Sequence, residues 1–412
     1  MNILFLTNKM PYPPTDGGTI STLNMIKVYS KEGNNVTVFA MNTHKHNFKV
    51  EDMPEELTKN IKWHTCYVDT RIKPPEMLLN LLFSNIPYNA KRFISNTYRN
   101  KLKQILSQEK FDIIQLEGLY LYPYISTIRK SSDALIAFHA HNVEQEIWKR
   151  TVQNQNPGLK RMYNRVLSVR MQRLENKSLH KFDILVPVTE RDSHILDFLG
   201  NKNATYVAPT GVILSNFEIP ENLPAPKHNT LFFIGALDWF PNQEGIVWFL
   251  DKVWNLVLKE CPDVELHIAG RNAPAKFEHK LNKKNVVFHG QVEDAKEFCL
   301  KYNIMISPLL TGSGMRVKLI ETMALRKPIV STYVSAEGIK VVNKIHMTLA
   351  HDENEFANGI IDLLKNPERC KMYAENARLH VEKHFDSVKI MQGLLKFYKQ
   401  MNSFSFAANF SS

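Results

Sequence analysis

The sequence predicts two α/β domains, each built on an open parallel sheet, and three observations carry that expectation. Short apolar, β-branched runs alternate with helical stretches from the first residues almost to the last. Glycine-containing loops follow several of those runs, where doubly wound sheets hold their ligands. At 412 residues the chain is also longer than one hydrophobic core usually supports.

Composition bounds the function. The chain is 44% hydrophobic and 23% charged, as expected of a folded water-soluble protein rather than a disordered or fibrous one. A formal charge of +11 admits nucleic acid, an anionic membrane face or anionic substrates as partners. Cys66, Cys261, Cys299 and Cys370 lie far apart with no CxxC spacing, which argues against structural zinc or a disulfide framework and suits a reducing compartment. Residues 1–7 are too short and lack the basic start of a signal peptide, and no window approaches the roughly 20 apolar residues of a spanning helix. The expectation is a cytoplasmic protein, with peripheral contact at the inner face of the cell membrane as its extension.

In chain order, residues 3–7 read as a strand, 11–18 as a loop rich in turn formers, 19–31 as a helix and 36–40 as the next strand. Gly17 and Gly18 end the loop. They serve either a plain turn or close approach to a ligand; the GxGxxG dinucleotide pattern is absent. Residues 70–110 hold eight Lys/Arg against two acids, beside the apolar patch 77–83. That window is either a core helix with a solvated basic face or a surface for anionic lipid or a lipid-linked acceptor.

Strands are expected at 111–116 and 134–138. The second runs into His139-Ala-His-Asn-Val-Glu144, which places His139, His141 and Glu144 at a strand's carboxyl end, where substrate is met. HxH also suits a metal, but no Asp or Cys cluster accompanies it, so no metal is assigned; the alternative to substrate contact is a pair of satisfied structural histidines. Residues 149–181 read as one long helical stretch with nine Lys/Arg and one acid, Glu175. Strands at 182–188 and 204–208 complete the first sheet.

Four prolines between 209 and 226 mark a linker. The predicted organisation is a first domain at 1–212, a linker at 213–228 and a second domain at 229–385. A helix at 386–401 packs back on the first domain, and 402–412 forms a tail. The second βα series runs through strands at 230–234, 264–269 and 286–290. It reaches an apolar strand at 303–310, the loop Thr311-Gly-Ser-Gly314, a helix at 315–325 and a strand at 329–332.

This last unit carries the chemistry. Gly312 and Gly314 let backbone approach a ligand, and the following helix presents unpaired N–H groups. Arg316 and Lys318 add two charges there, enough to neutralise most of a diphosphate without a metal. Glu321, one turn later, either pairs with Lys318 as a surface salt bridge or accepts both hydroxyls of a ribose. The buried setting of the crossover favours the second.

The segment from Thr311 to Ala324, with Lys327-Pro-Ile-Val-Ser-Thr332 and Ser335-Ala-Glu-Gly-Ile339, resembles family 4 of the glycosyltransferases. Asn8 to Gly18, Phe138 to Glu144, Val207 to Val212 and Phe233 to Asn242 extend the resemblance over nearly the whole chain. It implies a retaining enzyme of the GT-B fold, with two facing Rossmann-like domains and a donor cleft between them. It further implies a nucleotide-sugar donor, a glycan or lipid-linked acceptor, a role in surface-polysaccharide synthesis and no cofactor. By resemblance, Glu321 binds ribose, Arg316 and Lys318 lie at the diphosphate, and the segment reaching Gly290 and Val292 frames the base. Gly17 and Gly18 approach the diphosphate or sugar, and one of His139 and His141 contacts the sugar.

Two departures stand out. Ser313 occupies the position, eight residues before Glu321, where many members carry a second glutamate. The loop after the first strand of the second domain offers Asp238, Trp239, Asn242 and Gln243 in place of an Arg and a Lys. Phosphate neutralisation therefore rests on Arg316 and Lys318. A nucleotide-sugar 2-epimerase is the rival enzyme, disfavoured by Ser313. A nucleic-acid binder is disfavoured because the basic windows lack interleaved aromatics.

Overall fold

A computed structural model describes the chain except for residues 15, 221, 223–225, 313 and 410–412, and the side chains of 404–409. The described residues divide into two compact units, Met1–Pro209 with Val388–Ser412, and Thr210–Ser387.

The first unit holds seven parallel strands: β1 (Asn2–Thr7), β2 (Asn35–Asn42), β3 (Ile61–Tyr67), β4 (Ile113–Glu117), β5 (Leu135–Ala140), β6 (Ile184–Pro187) and β7 (Ala204–Thr205), in the order β3-β2-β1-β4-β5-β6-β7. Strand side chains alternate between two cores. Leu4 and Leu6 of β1 enter one, with Phe39, Leu116 and Phe138. Ile3 and Phe5 enter the other, with Val38, Ile113, Leu394 and Tyr398. Both faces are thus covered, as a parallel sheet requires. Leu394 and Tyr398 belong to the C-terminal helix Ser387–Asn409, which runs past the expected end at 401.

The second unit holds β8 (Lys227–Ile234), β9 (Glu265–Ala269), β10 (Val286–Gly290), β11 (Tyr302–Ser307), β12 (Ile329–Thr332) and β13 (Thr348–Ala350), all parallel, in the order β10-β9-β8-β11-β12-β13. Leu231, Phe233, Ile304 and Ile306 face one core. Phe232 and Met305 face the other, with Leu319, Ile320 and Met323 from the helix Val317–Ala324. In each sheet the strand order reverses once, between β1 and β4 and between β8 and β11. Such a reversal opens a crevice beyond the carboxyl ends of the two strands.

Several local expectations change. The single basic helix at 149–181 is two helices, Glu144–Gln153 and Leu159–Ser178. Pro157 cannot donate a helical hydrogen bond, and Gly158 takes φ 151°, so the turn cannot propagate. Gly17 and Gly18 are not loop residues: they open the helix Gly17–Lys31, capped by Asp16, whose carboxylate accepts from the Thr19 N–H. The strand expected at 303–310 ends at Ser307, because Pro308 stops it. The helix expected from 315 starts at Val317.

Candidate functional site

In the second unit the crevice between β8 and β11 is lined by the loops that follow them. Gly235 to Trp239 leads from β8 into the helix Phe240–Trp248, which starts with Pro at its second position. Asn242 in its first turn is buried and donates from Nδ2 to the Ala236 carbonyl at 2.7 Å. Its Oδ1 accepts from Lys318 Nζ at 3.2 Å. The same ammonium sits 4.1 Å from the Phe233 ring centroid. Thr311 Oγ1 donates to Glu244 at 2.6 Å, which ties the loop after β11 to the helix after β8.

Arg316 caps the helix Val317–Ala324 and is buried. Its guanidinium lies 5.4 Å from the Trp239 ring and donates back to the Gly314 carbonyl. A Cβ at Gly312, where φ is +121°, would lie 2.6 Å from Arg316 Nη2, so only glycine lets the side chain fold across the loop. Gly314 also takes a positive φ, +82°.

Burial, with a smaller push from Arg316, lowers the Lys318 ammonium to about 7. Glu321, one turn along the helix, is raised by burial and has no hydrogen bond or ion pair among the described residues. Lys318 and Glu321 line one cavity of about 310 Å³, together with Phe217, Asp294, Ala295 and Thr322. Among the described residues the Lys318 ammonium has no anionic partner and the Glu321 carboxylate has no donor.

The other predicted residues of this unit are more scattered. Asp238 is exposed and accepts from Asn272 Nδ2 at 3.1 Å. Gly290 closes the edge strand β10 with φ +66°, and Val292 packs against the core behind the helix Val317–Ala324. Ser313 lies outside the described residues.

In the first unit β4 and β5 pair in register, which sets Glu117 directly beside His139. Glu117 Oε2 accepts from His139 Nδ1 at 2.9 Å, His141 Nε2 at 3.0 Å and Thr22 Oγ1 at 2.8 Å. Gln115 donates to Oε1 at 2.5 Å and is itself held by Tyr398 OH at 3.0 Å. Burial alone would raise the Glu117 carboxyl, but the two histidines outweigh it and hold the group well below the usual carboxylate range.

His139 is wholly buried, whereas the His141 side chain is 22% exposed. A Cβ at Gly18 would lie 3.9 Å from His141 Nδ1 and 3.8 Å from Lys9 Nζ. Lys9 in turn pairs with Asp16 at 2.6 Å. Glu144 accepts from Tyr120 OH at 3.3 Å, and burial plus the nearby Glu175 raise its carboxyl to about 7.

Glu117, His139 and His141 each offer a ligand atom, all within 4.8 Å of one another. The HxH segment therefore has the carboxylate neighbour that it lacks in sequence, although these atoms are already joined by hydrogen bonds. Sequence reasoning missed Glu117, Lys9 and Gln115. The signal for Glu117 was present: it directly follows the apolar run at 111–116, and consecutive parallel strands commonly pair.

Residues 228–366 match the profile of the family described as Glycosyl transferases group 1. The whole chain superposes on a sucrose-phosphate synthase from Thermosynechococcus elongatus with a TM-score of 0.70, at 17% identity, covering 99% of this chain and 100% of that one. The fold is GT-B. Anabaena HepE, solved in complex with UDP-glucose, shares this GT-B fold with a TM-score of 0.64 at 12% identity, over 97% of this chain and 100% of that one. A Klebsiella pneumoniae protein described as an uncharacterized 44.6 kDa protein in the cps region is 25% identical over 409 residues, 96% of this chain and 99% of that one. The group 1 match falls on the unit that carries Arg316, Lys318 and Glu321. Together these matches support a glycosyltransferase.

Proposed function

We propose that the chain moves a sugar from a nucleotide-diphosphate sugar to a glycan or lipid-linked acceptor, with retention at the anomeric carbon, in cell-surface polysaccharide assembly. The observation that carries this reading is the single helix Val317–Ala324, which bears Lys318 and Glu321 on one cavity wall with Arg316 at its start. A diphosphate supplies an anion for Lys318, whose hydrogen-bond partner is the neutral Asn242 amide, with the Arg316 guanidinium at the start of the same helix, and a ribose supplies hydroxyl donors for Glu321.

Cleavage of the sugar–phosphate bond places growing charge on the leaving diphosphate, and fixed cations in a dry site stabilise that charge most. Two such cations supply this without a metal, so the reading assigns none. Gly17, Gly18 and His141 serve the sugar, and donor phosphate accepts the proton of the attacking hydroxyl. HepE was solved with UDP-glucose, which supports a uridine-type donor for the related fold. The Klebsiella pneumoniae relative supports a setting in surface polysaccharide.

A lipid-linked acceptor and a place at the inner membrane face draw support from the first unit. The helix Pro74–Phe83 exposes Leu78, Leu79, Leu82 and Phe83, the last at 82%. Arg170 fixes its end by donating to the carbonyls of Asn80 at 2.9 Å and Leu81 at 2.6 Å. Exposed Lys160, Arg165, Arg173 and Lys177 lie on the same helix as Arg170. Apolar anchors with flanking cations suit an anionic bilayer. Among the described residues no helix is long and apolar enough to cross a membrane.

The test is incubation with a panel of nucleotide sugars and a lipid-linked acceptor. Release of nucleoside diphosphate with sugar transferred in the retained configuration is expected. Sugar isomerisation without acceptor, or salt-sensitive nucleic-acid binding without donor binding, contradicts the reading.

A further inference from the structure

We infer that Glu117 is a positioning residue that fixes the ring tautomers of His139 and His141, leaving His141 Nδ1 as a proton-free acceptor for a carbohydrate hydroxyl. The assignment of that hydroxyl to a sugar rests on the glycosyltransferase reading. The tautomers do not.

Tyr398 of the C-terminal helix donates to Gln115 Oε1 at 3.0 Å, which sets the amide so that its NH₂ turns toward Glu117 Oε1. Glu117 Oε2 takes three further donors, from Thr22 and the two histidines. A carboxylate with four donors on it stays ionised, and an ionised carboxylate only accepts. Each ring nitrogen facing it therefore carries its hydrogen: Nδ1–H on His139 and Nε2–H on His141.

The consequence differs for the two rings. His139 is fully enclosed, and its Nε2 has no partner among the described residues, so it braces the carboxylate and meets no ligand. His141 keeps an accessible edge. Burial and the neighbouring His139 lower it, so it is neutral at pH 7 and Nδ1 holds a lone pair. Among the described residues nothing donates to that lone pair. Glycines flank the ring on both sides, Gly18 toward Nδ1 and Gly118 toward Cδ2, each with a hypothetical Cβ at 3.9 Å. The space beside the acceptor is kept open by the two residues that have no side chain. The other charged groups nearby are Lys9 and Asp16, which pair with each other, and Glu144.

A metal ion would use the same three ligand atoms and would replace the two histidine–carboxylate hydrogen bonds. The experiment separates the two arrangements. Long-range imidazole correlation spectra of the ¹⁵N-histidine-labelled full chain are expected to show His141 protonated at Nε2 and His139 at Nδ1. In Glu117→Gln, whose amide can donate as well as accept, His141 is expected to become a tautomer mixture. Turnover is expected to fall roughly tenfold or more, while nucleoside diphosphate affinity changes by less than about twofold. His141→Asn places an amide oxygen near the Nδ1 position and is expected to retain more turnover than His141→Gln.

If the hydroxyl belongs to the donor, Glu117→Gln loses the affinity difference between nucleotide sugar and nucleoside diphosphate. If it belongs to the acceptor, acceptor KM rises instead. An Nδ1–H signal for His141 in the unaltered protein overturns the inference, as does unchanged tautomer and turnover in Glu117→Gln. Stoichiometric metal that is lost in Glu117→Gln overturns it too. Should the protein transfer no sugar, the spectra still decide the role of Glu117 while the functional reading fails alone.

Discussion

Lys318 and Asn242 join the two helices that follow β8 and β11, at the strand-order reversal of the second sheet: Nζ donates to Oδ1 at 3.2 Å. The partner is neutral, so the ammonium charge is uncompensated, and burial with Arg316 nearby lowers it from 10.5 to about 7. A bound diphosphate reverses this by supplying negative charge. Binding is therefore expected to take up protons at pH 8, and affinity for a nucleoside diphosphate is expected to fall as pH rises above 7. The free protein behaves oppositely: charged Lys318 disfavours the folded state fully below pH 7, and that penalty fades as pH rises toward 10.5. Titration calorimetry in buffers of different ionisation enthalpy measures the uptake, and heats that do not depend on the buffer contradict it.

Gly235→Ala tests the same pair sterically. The added Cβ would lie 3.1 Å from both Asn242 Nδ2 and Lys318 Nζ, tighter than these atoms tolerate without moving. The ammonium is the flexible partner, so diphosphate affinity is expected to drop by roughly fivefold to tenfold, about 1 kcal/mol, with little change in melting temperature. Gly270→Ala is the contrasting case, since its Cβ would lie 2.0 Å from the Gly235 carbonyl oxygen and no side chain can yield. That variant is expected to lose folded protein, seen as poor soluble yield or a collapsed melting curve.

Most of this fold was legible because parallel strands buried on both faces read as short apolar runs; β10 and β12 match their expected bounds of 286–290 and 329–332. Strands β3 and β13 were missed for the complementary reason. Ile61–Tyr67 is an edge strand with polar Lys62, His64 and Thr65, and Thr348–Ala350 is three residues long. The candidate site was legible where it is local, as at Arg316, Lys318 and Glu321 on one loop and helix. It was illegible where strand register builds it: Glu117 and His139 lie 22 residues apart and meet only because β4 and β5 pair.

Glu175 offers a test of the loop after β5. It is buried, and its two carboxylate oxygens accept from the Glu144 and Gln145 N–H groups at 2.8 and 3.0 Å, capping the helix Glu144–Gln153. Glu175→Gln keeps one acceptor and removes the charge. It is expected to cost about 1–2 kcal/mol by chemical denaturation. Glu144 is expected to titrate below its present value of about 7 but above the ordinary glutamate range, because burial is the larger cause. Carboxyl NMR titration follows this, and an unmoved Glu144 contradicts the coupling.

The exposed apolar helix gives a prediction about membranes. Leu82→Asp with Phe83→Asp places two charges on the face that would enter lipid, far from the buried core. Sedimentation with anionic vesicles is expected to pull down the unaltered protein at low salt and to leave the double variant in solution, both with the same melting temperature. Equal sedimentation of the two would remove this surface from the account.

The most direct measurement is equilibrium binding of a nucleoside diphosphate to the unaltered protein, Arg316→Ala and Glu321→Gln. Charge-assisted hydrogen bonds contribute about 1.5–3 kcal/mol, so each variant is expected to bind roughly 10- to 100-fold more weakly. Glu321 is half-buried on the cavity wall and Arg316 is buried at the start of the same helix; both variants are expected to melt within a few degrees of the parent, roughly the shift that 1 kcal/mol produces. Unchanged affinity in both variants, with the fold intact, would contradict the assignment of this helix to the donor.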